Sequence, residues 1–520
     1  MVLQLGRRSL LGGLGILGAA PAFAQLSGGV PFVDFPFQLG VAAGDPDAAG
    51  FVIWTRLAPR PLEPGSGLAR RAIPVRYEVA ETATFATLVA EGEALARPEL
   101  GHSVHVTLTA LLPGRQYFYR FIAGGERSAV GRARTLPAAG AAPARVRLGV
   151  AGCQDYQSGL YTAWRHLARE DADAIFFYGD YMYEGGPRAS AFSWESGETV
   201  ATVRQHNGAE VFSLDDYRRR YTQIRSDLDL QAGHASAAFL CSFDDHEIVN
   251  NWVSDHPPGD VPPDVFRLRR AGAMQAWYEF MPVRLDAFPR DGVTGPWRQY
   301  RFGGLLDARM LNTRNHRSNQ PCDDRFASMC DAVRDPKAQV LGQAQEDWLV
   351  KGLTGQPATW NALLQQIMVM DLDRARADTR TINPDSWAGY AAPRDRLLKR
   401  LERTQNLIVL TGDEHQHFAG EVRPTGAAPD TRPAAIEFVT TSISSGSDGP
   451  GERREHAKLR ERNPGLKYVR DERGYALMTV TPDAWTADLK VVDTVRSGGG
   501  KLSTAATFRV PAGVAQLEEA

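Results

Sequence analysis

The chain has 520 residues, enough for two or three domains, and 43% of them are apolar, which is ample for real cores. Its 59 basic and 61 acidic side chains leave a net charge of −2. They are mixed along the chain with no long block of one sign, so specific binding of nucleic acid or another polyanion is not expected.

Residues 1–24 read as a targeting segment. Arg7-Arg8 precede Ser9-Leu10-Leu11, an apolar run continues to Ala20, and Ala22-Phe23-Ala24 offers a small-residue cleavage site before Gln25. The apolar run is too short to span a bilayer, and twin arginines followed by S-L-L point to the Tat signal. The expectation is recognition by the Tat export machinery, cleavage near Ala24 and a periplasmic or secreted mature protein with no transmembrane segment. Gly13, Gly15 and Gly18 formally spell a dinucleotide fingerprint, but no strand precedes them and cleavage would remove them.

Residues 30–137 predict a small all-β domain. FQLGVAAGDP, GFVIWTRLAP, IPVRYEVAE, HSVHVTLTAL and RQYFYRFIAG are short alternating segments punctuated by Gly, Pro and Asp. Leu112-Pro113-Gly114 followed by Tyr117 and Tyr119 is similar to the tyrosine corner of fibronectin type III-like sandwiches. An Ala/Gly-rich stretch over 137–143 reads as a linker. Residues 145–510 alternate strands with amphipathic helices, the pattern of a layered α/β domain. Helices are expected over 160–170, after a Ser213 cap and over 343–353, and a β-hairpin closes the pattern. Cys322 and Cys330 lie close together in a polar loop and predict a short disulfide, whereas Cys241 sits in an apolar run as a buried hydrophobe.

Four apolar runs stop at residues able to bind metal. VRLGVAGC ends at Cys153, AIFFYGDYMY carries Asp180 and Tyr183, AAFLCSFDDHE carries Asp245 and His246, and LIVLTGDEH carries Asp413 and His415. Taken singly, most have ordinary readings: a buried thiol, a capping aspartate, a core tyrosine, an acidic loop. Four such endings form a constellation, because sites of open α/β sheets lie outside the carboxyl ends of the strands. Thiolate, phenolate and imidazole from Cys153, Tyr183 and His415 suit a transition metal such as iron(III). Asp245 and Asp413 offer only oxygen, which suits calcium, magnesium or manganese, and Asp180 lies where it could bridge two ions. His417 adds a third group to the Asp413-x-His415 alternation. A serine hydrolase lacks support, since Ser444-Ser445-Gly446 has no leading glycine for a nucleophile elbow, and no P-loop is present.

The GDxxY, DDHE and GDEH segments resemble those of the calcineurin-like metallophosphoesterases. A G-C pair where that superfamily carries its first D-x-H is similar to the PhoD-type alkaline phosphatase/phosphodiesterase branch. VAAGDP…VIWTRL, the NNW after DDHEIV, Leu306-Asp307-Ala308-Arg309 and the terminal GY…VT…VVD strands extend the likeness over nearly the whole mature chain. The resemblance implies an αββα-sandwich behind the small β domain and a site with iron(III) and one or more calcium ions. Iron would be held by Cys153, Asp180, Tyr183 and His415, and the second metal by Asp180, Asp245 and Asp413, with a further ligand falling near Gln366. Asp180 and His246 would be the catalytic pair, His246 as general acid, while a metal-bound hydroxide attacks phosphorus in line in phosphomonoesters or phosphodiesters. Asn250, Asn251 and Arg309 are candidate substrate contacts; Trp387 and Tyr390 either stack on an organic substituent or pin their loop. Two alternatives stay open: a phospholipid or nucleotide diesterase on the same fold, and a non-catalytic metal-containing binding protein.

Overall fold

A computed structural model describes residues 32–520 apart from 194–197, 291–292, 294–296, 356–357 and 376–377. The targeting segment, its cleavage site and the Gly13 motif lie outside the described residues.

Two sheets, of ten and seven strands, share one apolar core. The strands that feed the site are buried on both faces, which is why they read as unbroken apolar runs. In Val146–Ala151, Val146, Leu148 and Val150 enter the core between the sheets, while Ala151 faces the helices. Ala174–Phe177 repeats the pattern, with Phe176 between the sheets and Ile175 and Phe177 under the helices. On that outer face lie Thr162–Leu167, Leu214–Arg225, Leu228–Ser236 and Pro263–Phe280. Gln343–Gly355 and Ala391–Leu401 cover the outer face of the seven-stranded sheet. The layers therefore run helix, sheet, sheet, helix. Ser213 caps its helix as expected, its side chain accepting from the Asp216 N–H in a capping box.

Val146–Ala151, Ala174–Phe177 and Ala238–Cys241 run parallel, so their carboxyl ends lie together. Leu407–Thr411 runs parallel to both of its neighbours in the other sheet and delivers Asp413. Tyr178 spans the two sheets at this end. A Cβ on Gly152 would come within 2.3 Å of its ring, and one on Gly412 within 2.1 Å. Its hydroxyl donates to the Thr441 carbonyl at 2.9 Å. The glycines of the G-C and G-D pairs are the room this ring needs.

The small β domain is continuous with the larger one. Val41–Gly44 pairs in parallel with Ala238–Cys241, and Val52–Arg56 and Ser103–Thr107 extend the same ten-stranded sheet. Ile73–Ala80, Leu88–Ala96, Gln116–Ala123, Glu126–Arg127 and Gly131–Arg134 form a separate five-stranded sheet. The two surfaces share a core of Phe51, Ile53, Val75, Val79, Tyr117 and Tyr119 that also takes in Ala238. At the tyrosine corner, the Leu112 N–H donates to the Tyr117 hydroxyl at 2.9 Å. The expected hairpin forms from Gly474–Val480 and Ala484–Val492, and Leu502–Pro511 continues it. Cys322 and Cys330 form the disulfide, and Cys241 is buried. Among the described residues, no helix is long and apolar enough to cross a membrane.

Candidate metal centre

Each strand hands its chain to a sharp turn that carries a candidate ligand. Cys153 (φ 49°), Asp180 (φ 56°), Asp413 (φ 69°) and His415 (φ 55°) all hold left-handed backbone. Such conformations cost non-glycine residues about 1–3 kcal/mol each and concentrate at functional sites. Gly179 at φ 140° occupies a region open to glycine alone, and a Cβ there would lie 2.6 Å from the Asp244 nitrogen. Backbone bonds from Cys153 N–H to Gly179 O and from Gln154 N–H to Asp180 O, both 3.0 Å, lash the first two turns together.

The side chains converge. Asp180 Oδ2 lies 3.4 Å from Cys153 Sγ and accepts from the Tyr183 hydroxyl at 3.0 Å, and that hydroxyl is 3.3 Å from His415 Nε2. Cys153, Asp180 and His415 each bring a donor atom within 4.8 Å of the others. Asp245 joins one such group with Asp180 and His246 and another with Asp244 and Asp413. The structure thus brings together all six residues expected to hold metal, with Asp180 common to the sulfur-bearing group and the group with Asp245 and His246.

Oδ1 of Asp180 and Oδ1 of Asp245 are buried without a hydrogen-bond partner. Arg314 Nη2 approaches the latter only to 3.5 Å, an ion-pair distance rather than a hydrogen bond. Burial raises the pKa of Asp180 well above the carboxylate range, with Asp245, Asp244 and Glu247 adding repulsion and His246 opposing it. Burial and the carboxylates of Asp244, Asp385 and Asp245 push Asp413 the same way. Cys153 and Tyr183 are raised by burial and by the Asp180 charge. A cation would turn this repulsion into coordination. The donor set and its orphaned oxygens fit metal ions.

Other side chains position this set. Glu247, fully buried, accepts from the backbone N–H groups of Tyr181 (2.7 Å), Asp244 (2.8 Å) and Asp180 (3.1 Å), joining two ligand turns through one carboxylate. Burial lifts it to about 7 against the pull of those N–H groups. Asp244 is committed to Arg314 Nε at 2.6 Å, and Arg314 also grips Asp385 through two 2.8 Å bonds. His246 Nδ1 lies 2.7 Å from Glu184 Oε2, with its ring 4.0 Å from that of Tyr183. Burial would lower His246, but Glu184, Asp245 and Asp180 together hold it well above its usual value. Glu184, despite burial, is drawn down to about 2 by His246.

Asn251 donates its N–H to Asp245 Oδ2 at 2.6 Å and its amide to Asp324 at 2.9 and 3.0 Å. Asn250 reaches the site through its backbone, which donates to Glu184 Oε1 at 2.9 Å. The remaining candidates lie elsewhere. Arg309, mid-strand, pairs with Asp307 at 2.9 Å and stacks over Trp348, where a Cβ on Gly352 would strike it. The Gln366 amide is engaged by Thr313, Ser242 and the Leu311 carbonyl, so its side chain is occupied within the protein. His417 begins a strand, with Nε2 3.2 Å from Lys490 O and Nδ1 accepting from Thr441 N–H. Trp387 donates to Gln365 and Tyr390 to Ser318 O, which pins their loop.

Sequence reasoning passed over Glu184, although it directly follows Tyr183, and saw Glu247 only as part of the DDHE cluster, without its positioning role. It also set Ser445 aside. Ser445 Oγ donates to the Cys153 carbonyl at 2.8 Å and lies 2.7 Å from the Tyr183 hydroxyl. No motif marked Arg314, Asp324 or Asp385.

The chain that carries this cluster of candidate metal ligands is similar to known proteins. Residues 148–489 match the PhoD-like phosphatase family, and residues 24–137 match its N-terminal domain. Alkaline phosphatase D of Bacillus subtilis (strain 168) is 39% identical over 498 residues, covering 95% of this chain and 84% of that protein. A solved structure of PhoD superposes with a TM-score of 0.90 at 38% identity, over 94% of this chain and 93% of that one. The purple acid phosphatase PPD1 from yellow lupin (Lupinus luteus) seeds shares the fold, with a TM-score of 0.53 at 12% identity over 91% and 73% of the two chains. The chain belongs to the PhoD-like phosphatase family, and it is a phosphoric ester hydrolase.

Proposed function

We propose that this protein is an exported phosphomonoesterase and phosphodiesterase whose centre holds iron(III) at Cys153, Asp180, Tyr183 and His415 and calcium at Asp180, Asp245 and Asp413. The observation that carries this reading is the junction at Asp180: it gathers with the Cys153 thiol, the Tyr183 hydroxyl and the His415 imidazole on one side, and on the other with Asp245, which in turn joins the carboxylates of Asp244 and Asp413. Cations at these positions supply Lewis acidity and a lowered pKa for bound water.

The chain's own contribution is positioning and proton supply. Glu184 fixes Nδ1 of His246, which leaves Nε2 to give a proton to the departing alkoxide. Glu247 keeps the two turns in one geometry. Export rests on the twin-arginine segment, with cleavage near Ala24. The domain boundary near 137–145 and a fibronectin type III-like ancestry for the first domain belong to the same reading, supported by the Tyr117 corner.

The test is elemental analysis of protein purified from a Tat-exporting host, together with hydrolysis of p-nitrophenyl phosphate and bis-p-nitrophenyl phosphate with and without calcium. Stoichiometric iron and calcium-dependent turnover are expected. Protein that stays inactive after both metals are restored would favour a binding module.

A further inference from the structure

One aromatic side chain, on a loop that is linked to the centre, is left largely exposed by the fold. The Cys322–Cys330 disulfide closes a loop whose root is packed: Cys322, Met329 and Cys330 lie against Val333, Ile382, Ala388 and Ala391. Cys322, Asp323 and Asp324 follow one another in left-handed conformation and turn the chain outward. At the tip Phe326 is 63% exposed, more than Phe35 (43%) or Phe212 (45%).

A single exposed phenylalanine is ordinary; the placement of this one is not. Two residues before it, Asp324 accepts the Asn251 amide at 2.9 and 3.0 Å, and Asn251 donates its N–H to Asp245. On the other side, the Arg374 guanidinium lies 5.9 Å from the Phe326 ring and 2.6 Å from Glu414, which follows Asp413. The loop that carries the ring is thereby linked through Asn251 to Asp245, and the ring through Arg374 to the residue after Asp413. A covalently closed loop with a packed root presents it at little further entropic cost on binding.

We propose that Phe326 is a specificity-determining platform on which the organic group of the ester stacks, favouring esters whose alcohol carries a flat aromatic or heteroaromatic ring over esters that carry none. The proposal rests on the phosphoesterase reading of the Asp245 and Asp413 positions and adds the substrate class. Arg374, held by Glu414, lies over one face of the ring and stiffens the platform.

The experiment compares thymidine 5′-monophosphate with glycerol 3-phosphate, two primary alkyl phosphates of which only the first carries a flat base, on the metal-loaded wild type, Phe326→Ala and Phe326→Trp. Stacking of one base predicts a rise in KM of about tenfold for the nucleotide in Phe326→Ala, with kcat little changed. Glycerol 3-phosphate should stay within about twofold, and Phe326→Trp should restore the nucleotide KM. Equal losses on both substrates, or no loss on the nucleotide, overturn the platform while leaving the phosphoesterase reading intact. A wild type that hydrolyses neither ester overturns both.

Discussion

Nδ1 of His246 lies 2.7 Å from Oε2 of Glu184, and the second Glu184 oxygen accepts the backbone N–H of Asn250. The carboxylate therefore fixes both the tilt and the tautomer of the imidazole. His246→Ala should slow esters with poor leaving groups by about 10²–10⁴ while sparing p-nitrophenyl esters. Glu184→Gln should show the same leaving-group dependence at about 10–100-fold. The slope of log kcat against leaving-group pKa is the measurement. A uniform loss across leaving groups would argue against proton donation.

Asp180 belongs both to the sulfur-bearing group and to the group with Asp245 and His246, and Asp245 continues to Asp244 and Asp413. Asp180→Ala should cost both metals and abolish turnover, whereas Tyr183→Phe should deplete iron and remove any phenolate-to-iron absorption. Near-normal turnover in Asp180→Ala would refute a two-metal centre. The four left-handed ligand residues also predict that chelation lowers the unfolding temperature, because ligation offsets their strain.

Glu247 accepts three backbone N–H groups, with Oε2 serving both Asp180 and Asp244. An amide keeps only one acceptor oxygen. Glu247→Gln should destabilise the fold by about 1–3 kcal/mol by stranding a buried donor, and should reduce metal content in parallel. Urea denaturation read beside elemental analysis tests this. Unchanged stability together with full metal occupancy would contradict the positioning role.

His105 keeps some solvent exposure, yet its Nε2 lies 3.0 and 2.9 Å from the carbonyls of Tyr278 and Met281. Burial lowers its pKa to about 4, below the ordinary value of 6.5. Between those values the unfolded chain takes up a proton that the folded chain refuses. This site therefore lowers stability as pH falls from 6.5 toward 4 and exacts nothing above 6.5. Unfolding free energy against pH should be flatter in His105→Gln across that window. An unaltered slope would mean the ring protonates in place.

The parts of the site legible in sequence were those announced by a strand's end. Cys153, Asp180, Asp245 and Asp413 each follow an apolar run, and a parallel sheet brings such ends together. Arg314 and Asp385 stand 71 residues apart on loops, so only tertiary structure makes them partners. Arg309 misled for the opposite reason. It lies in a family-like segment, but strand alternation turns it toward Trp348. The first domain was read correctly as strands, yet alternation within a strand says nothing about which sheet that strand joins. Val41–Gly44 therefore gave no sign of its neighbour.

That neighbour has a consequence for the order of events on the ribosome. Val41–Gly44 is among the first segments of the fold to be made, and its parallel partner Ala238–Cys241 follows roughly 195 residues later. At about 5–20 residues per second, the early strand waits about 10–40 s for the backbone it must pair with. Until then, one edge of the nascent sheet is unpaired, and no N-terminal fragment ending before residue 238 can complete it.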